Sequence, residues 1–138
     1  MGKKYLLDSN TVIDYIAGLY SEKAVQWLNQ LVDEEINVSI ITKIEVLSFD
    51  PDKDDNYPIL IDFFEASNLF ELNDDIVSKT IQIRQKQKIK LPDAVIASTA
   101  LVKGLILVSR NIKDFNNIPD LEVVNPCDIW TEFNNLPL

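Results

Sequence analysis

Asp8, Glu45, Asp93 and Asp114 lie far apart along the chain, yet each follows closely on a short apolar run or opens a helical one. Oxygen donors delivered by separate segments suit hard divalent cations, Mg2+ or Mn2+. Asn111 stands three residues before Asp114 and adds a neutral oxygen donor. Carboxylates gathered without Lys or Arg partners repel one another, and burial raises that penalty. A doubly charged ion removes it. Composition closes most other chemistries. The chain has no His and a single Cys, Cys127. This excludes a Ser-His-Asp triad, a His-Cys dyad, His-ligated metals and a Cys-based zinc site. Any catalysis must use carboxylates, hydroxyls, amides, Lys and Arg.

Each acid also has a purely structural explanation. Asp8 serves equally well as a turn or cap residue. Thr42-Lys43-Ile44-Glu45 reads as a capping box, in which Glu45 bonds back to the N-cap amide. Asp93 follows Pro92 in a first helical turn, where the helix dipole favours a carboxylate. Asp114-Phe115 fits the end of a one-turn helix with Phe115 in the core. Chemistry is favoured by the joint pattern. In open parallel sheets, ligands bind beyond the carboxyl ends of the strands, and these acids all fall on that edge.

The elements that must position them can be read from apolar spacing. Strands are predicted at residues 5–7, 38–41, 69–72, 105–108 and 122–125. Asn10 is the expected N-cap of a helix over 11–16, and Ser21 of the next, with Val25, Leu28, Leu31 and Val32 inward. Thr42 opens a third helix. Residues 50–56 form a loop, and an apolar helix follows. Asn73 caps a helix whose core face is read as Ile76, Val77, Thr80, Ile81 and the Arg84 stem. Pro92 starts a helix from Asp93 to Lys103 that is apolar on nearly every side and closed by Gly104. Strands alternating with helices predict an α/β fold with a parallel sheet between helical layers.

Length and charge bound the rest. A chain of 138 residues predicts one domain over 1–138. The net charge of −9 argues against non-specific coating of nucleic acid. There is no run of 18 apolar residues and no secretory leader pattern, so a cytoplasmic protein without membrane contact is expected. Basic residues concentrate at Lys79, Arg84, Lys86, Lys88 and Lys90, directly before Pro92-Asp93. That strip is either a solvated helix face or an RNA contact, with Lys86, Lys88 and Lys90 nearest the acids. The apolar stretch Tyr57, Ile59, Leu60, Phe63 and Phe64, with Phe49 nearby, is either core or a surface for a partner protein or second copy.

The ordered set of segments resembles the PIN-domain family, and within it the VapC-type toxins of toxin–antitoxin pairs. The matching segments are Tyr5 to Asp14, Ile41 to Val46, Leu91 to Ala100, Leu107 to Phe115, and Val124-Asn125-Pro126. The resemblance covers essentially the whole chain. It implies a PIN-like three-layer sandwich with a mainly parallel five-stranded sheet. It implies an endoribonuclease dependent on Mg2+, with Mn2+ as the alternative ion. Asp8, Glu45 and Asp93 are the implied shared ligands, and Asn111 or Asp114 fills the fourth position. Asn10 and Ser109 are implied auxiliaries that orient water or phosphate. A metal would lower the pKa of a bound water and stabilise the scissile phosphate; products with 5′-phosphate and 3′-hydroxyl ends are implied. The implied partners are RNA, with tRNA common among relatives, a cognate antitoxin and a second copy in a homodimer. A non-catalytic PIN-like binding module is the competing reading, kept open by Asn111 standing where an acid is usual.

Overall fold

The computed structural model describes residues 2–129; residue 1 and residues 130–138, the ends of the expected domain, lie outside them. Five three- or two-residue strands run parallel: β1 (Tyr5–Leu7), β2 (Asn37–Ser39), β3 (Asn68–Phe70), β4 (Ile106–Val108) and β5 (Val123–Val124). Their order in the sheet is β3-β2-β1-β4-β5. The chain therefore winds outward from β1 in one direction through β2 and β3, then returns to the other side of β1 for β4 and β5. The crevice where the order reverses lies at the ends of β1 and β4, the place where such sheets bind ligands.

Strand alternation divides the interior into two cores. Leu6 and Leu107 are register partners and face one side, against Ile83, Ile96, Ala97, Ala100 and Phe115. Leu7, Val38 and Val108 face the other, against Val12, Leu28, Val46, Leu60, Phe63 and Phe64. The helices follow from this. α1 (Ser9–Ile16), α2 (Glu22–Glu34), α3 (Ile40–Leu47) and α4 (Tyr57–Glu65) supply the second core. α5 (Asp74–Lys86), α6 (Leu91–Lys103) and α7 (Ile112–Phe115) supply the first. This is the expected α/β arrangement of a parallel sheet between helices.

Helix α6 is the innermost. Ala94 through Ala100 are all buried, and the hydroxyls of Ser98 and Thr99 donate to the carbonyls of Ala94 and Val95 at 2.7 Å. Such back-bonding lets polar side chains lie in an apolar core without an unpaired donor. The helix ends at Gly104, whose left-handed φ of 67° needs a residue without Cβ.

Several local expectations shift. Asp8, not Asn10, caps α1: its carboxylate accepts from the Thr11 N–H at 2.8 Å. Ser39, not Thr42, caps α3. Strand β2 ends two residues earlier than predicted because the Ser39 hydroxyl accepts from the Ile41 N–H and starts the helix there. Strand β3 starts and ends earlier as well, paired to β2 from Asn37 to Ser39. Ser21 and Asn73 cap as expected. On α5 the inward face is Ile76, Thr80 and Ile83, while Val77, Ile81 and Arg84 are exposed. The apolar residues on that helix outnumber what its neighbour α6 covers, so periodicity alone kept Ile76 and Thr80 but rotated the stripe toward Val77 and Ile81 and away from Ile83. The stretch after residue 56 divides: Leu60, Phe63 and Phe64 are core, and Ile59 and Phe49 are exposed.

Candidate active site

Asp8 leaves β1 at the crevice. Its backbone N–H donates to the Val108 carbonyl at 3.2 Å, and the Thr11 hydroxyl reaches the same carbonyl at 3.0 Å. The ends of β1 and β4 are thus stitched together under the site. Ser109, fully buried one residue past β4, hydrogen-bonds the Asp8 carboxylate and accepts from the Asn111 N–H at 3.0 Å. Burial nevertheless pushes the Asp8 carboxyl above its usual range, against those hydrogen bonds. Desolvation wins because Asp8 is only 5% exposed.

Asp93 enters from the first turn of α6. If the helix dipole dominated, its carboxyl would ionise more easily than usual. Instead it is raised, first by burial and then by the negative charges of Asp114, Glu45 and Asp8; Lys90 opposes the shift. Three other segments therefore bring carboxylates within electrostatic reach of Asp93. None of the four acids forms an ion pair among the described residues.

Glu45 does not close a capping box. With Ser39 as the cap, Glu45 lies in the second turn of α3, and its Oε1 accepts from the Ser9 hydroxyl at 2.6 Å. Ser9 also approaches the buried Thr42 hydroxyl at 3.3 Å. The structural explanation for Glu45 is removed. Asp8 keeps its capping role and faces the cluster as well. Asn111 is the exposed N-cap of α7, and Asp114 lies within that turn, also exposed. Of the two candidates for the fourth position, Asp114 is the one that acts on Asp93. Asn10 is exposed on α1 and makes no hydrogen bond through its side chain among the described residues.

A groove of about 500 Å3 opens beside the acids, lined by Arg84, Lys88, Ile89, Lys90, Asp93 and Asp114. Lys88 and Lys90 are where the basic strip was expected to serve. Lys86 is not: it borders a separate hollow with Ile118 and Asp120. Its place is taken by Arg84, exposed rather than packed.

Two contacts escaped the sequence reading. Asp14, buried in α1, meets Arg110 with 3.0 Å between Oδ2 and Nη1. Oδ2 has no hydrogen bond of good geometry, so the contact is mainly Coulombic. The hydrogen bond from Ser9 to Glu45 was the other. Both Ser9 and Arg110 stand directly beside a predicted site residue, which was the available signal; their partners come from distant segments.

The donor set is oxygen only, which fits a hard divalent ion. As placed, no three acids among the described residues form a ready cage, so binding requires side-chain adjustment, for which exposed Glu45 has room.

The PIN-domain family model matches residues 5–121. The chain belongs to the PIN-domain family. A solved toxin–antitoxin complex from Klebsiella pneumoniae contains a chain 30% identical, with a TM-score of 0.70, covering 89% of this chain and 98% of that one. VapBC-1 from nontypeable Haemophilus influenzae is 25% identical with a TM-score of 0.69, covering 88% and 97%. The DNA-bound VapBC of Salmonella typhimurium, 23% identical, shares the fold at a TM-score of 0.72, covering 91% and 100%. No protein of curated function matches the chain significantly. This PIN domain is of the VapC type. PIN domains of that type are generally nucleases, and PIN nucleases generally use divalent metal ions.

The raised carboxyls have a consequence for stability. An Asp whose folded pKa lies above its unfolded value of 3.8 binds its proton more tightly in the fold. Its contribution favours folding at low pH and is lost as pH rises from about 3.8 through the raised value. Metal-free PIN domain should therefore melt higher in mildly acidic buffer than Asp8 and Asp93 allow at neutral pH. In chelator, the melting temperature of Asp8→Asn should change less across that window than that of the native chain. Parallel pH profiles for the two would show that burial of Asp8 carries no such penalty.

Proposed function

We propose that this protein is a Mg2+-dependent endoribonuclease of the VapC toxin type, with Mn2+ able to substitute. The reading is carried by Asp93, whose carboxyl lies in the combined field of Asp114, Glu45 and Asp8, with Lys90 opposing as the smallest contribution. Asp8, Glu45, Asp93 and Asp114 would hold the ion. When bound, a divalent cation supplies an activated water and positive charge at the scissile phosphate.

The chain's own groups have distinct parts. Asp8 is held in place at the end of β1 by the Thr11 N–H and by Ser109. Ser9 orients Glu45 from the adjacent turn. Ser109 holds Asn111 by its backbone and so places the start of α7 against Asp8. Asn111 offers a neutral donor to water or phosphate rather than a fourth negative charge. With no His present, proton transfer on the RNA falls to water and these carboxylates.

A cognate antitoxin is the proposed partner. The solved relatives are toxin–antitoxin complexes, and an apolar groove of about 500 Å3 lies between α1 and α4, floored by Ile13, Ile16 and Leu60 and edged by Phe49, Asp50 and Asp54. A homodimer, a tRNA substrate and a cytoplasmic location belong to the same reading. Among the described residues no helix is long and apolar enough to cross a membrane.

The test is cleavage of RNA by the purified protein. Mg2+ or Mn2+ should restore activity abolished by chelator, leave 5′-phosphate ends, and raise the melting temperature at neutral pH. Metal-independent cutting would overturn the reading. The open placement of the acids favours a second one, a non-catalytic PIN-like module; it predicts RNA or partner binding with no cleavage in either ion.

A further inference from the structure

We infer that the groove between the α5–α6 connection and α7 is the seat of the RNA backbone, and that Arg84 is its phosphate anchor. This deepens the ribonuclease reading and rests on it for the identity of the polyanion.

The argument begins with how Arg84 is held. It lies in the last turn of α5 and is exposed. Its Nε donates to the Ile89 carbonyl at 3.3 Å. That bond ties the guanidinium to the connecting loop beside the groove that Arg84 lines. A fixed guanidinium loses less entropy on meeting a phosphate, which it can grip with two parallel hydrogen bonds. Lys88 and Lys90 line the same groove from the loop that Arg84 braces. None of the three cations forms an ion pair among the described residues.

Both signs of charge line the groove. Asp93 and Asp114, shared with the proposed ion site, line it together with Arg84, Lys88 and Lys90, and Lys90 lies within electrostatic reach of Asp93. A chain of phosphates matches this lining, with one phosphate over the acids through a cation and a neighbouring one on the basic side chains. An acidic protein segment would meet the cations but is repelled by the neighbouring acids. The net charge of −9 makes this local concentration the more telling, since the surface as a whole repels RNA.

The test uses a fluorescent single-stranded RNA, with binding followed by anisotropy in calcium over a salt series and RNA integrity checked on gels. Arg84→Ala should weaken binding about tenfold and reduce the salt slope by about 0.7, the value for one phosphate contact on a single strand. Arg84→Lys should keep the slope and recover part of the affinity. Lys86→Ala, on the separate hollow, should match the native chain. Melting curves check that each variant is folded. Native affinity and slope in Arg84→Ala, an equal loss in Lys86→Ala, or failure of the native chain to bind RNA would each overturn the proposal. So would tight capture of poly-glutamate in competition with RNA. Cleavage in Mg2+ is measured separately. A native chain that binds RNA through Arg84 but never cuts it would sink the nuclease reading and leave the groove standing.

Discussion

Asp8→Asn should fold, melt no lower than the native chain in chelator, and lose RNA cleavage by on the order of a thousandfold. The size follows from removing several kcal/mol of metal-borne stabilisation of the transition state. The unchanged fold follows from the local hydrogen bonds. Asn caps helices as well as Asp does, and its amide oxygen can still accept from the Thr11 N–H. Its amide nitrogen faces Ser109, whose hydroxyl can turn to accept. What is lost is a negative charge that burial already disfavours. Asp8→Ala separates the two roles: it should also lose activity, but at about 1 kcal/mol of stability, because the cap goes with it. Multiple-turnover cleavage assays and chemical unfolding of both variants measure this. Near-native cleavage by Asp8→Asn would remove the acidic cluster from the mechanism. An unfolded Asp8→Asn would show that the charge itself is structural.

Arg110→Ala should destabilise the protein by roughly 2 kcal/mol. Removing one partner of a fully buried ion pair typically costs about 3–5 kcal/mol, because a charge is stranded. Here Asp14 is enclosed, with its side chain 8% exposed, while that of Arg110 is 47% exposed, so water moderates the loss. Asp14→Asn should cost less, since it strands no buried charge. The double variant, Arg110→Ala with Asp14→Asn, should be more stable than Arg110→Ala alone. Urea denaturation of the three gives the coupling. Strict additivity would show that the pair contributes nothing beyond its separate packing. The pair joins α1 to the segment after β4, the same two segments that meet through Asp8 and Ser109. A looser site in Arg110→Ala would therefore be felt on both sides of the crevice.

Much of this protein was legible in its residues. The apolar runs at Tyr5-Leu6-Leu7 and around Leu107 could only be buried strands, because helices on both faces require both sides to be apolar. Gly104 and Ser21 marked helix ends through backbone chemistry that is local. The acids fell on one edge because parallel strands present all their carboxyl ends there. The family likeness rests on the same segments.

The rest depended on contacts between distant segments. Whether Glu45 capped its own helix or faced Asp93 was decided by Ser39, which took the cap, and by Ser9, which took the carboxylate. Arg84 and Lys86 are both basic and two residues apart, yet only Arg84 borders the acids, because helical geometry turns neighbours to different faces. The inward face of α5 was set by where α6 lies against it. The meeting of Asp14 with Arg110 left no trace in spacing at all. Helix ends and strand character are written in local hydrogen bonding and hydrophobicity; which carboxylate meets which cation is a property of the packed sheet.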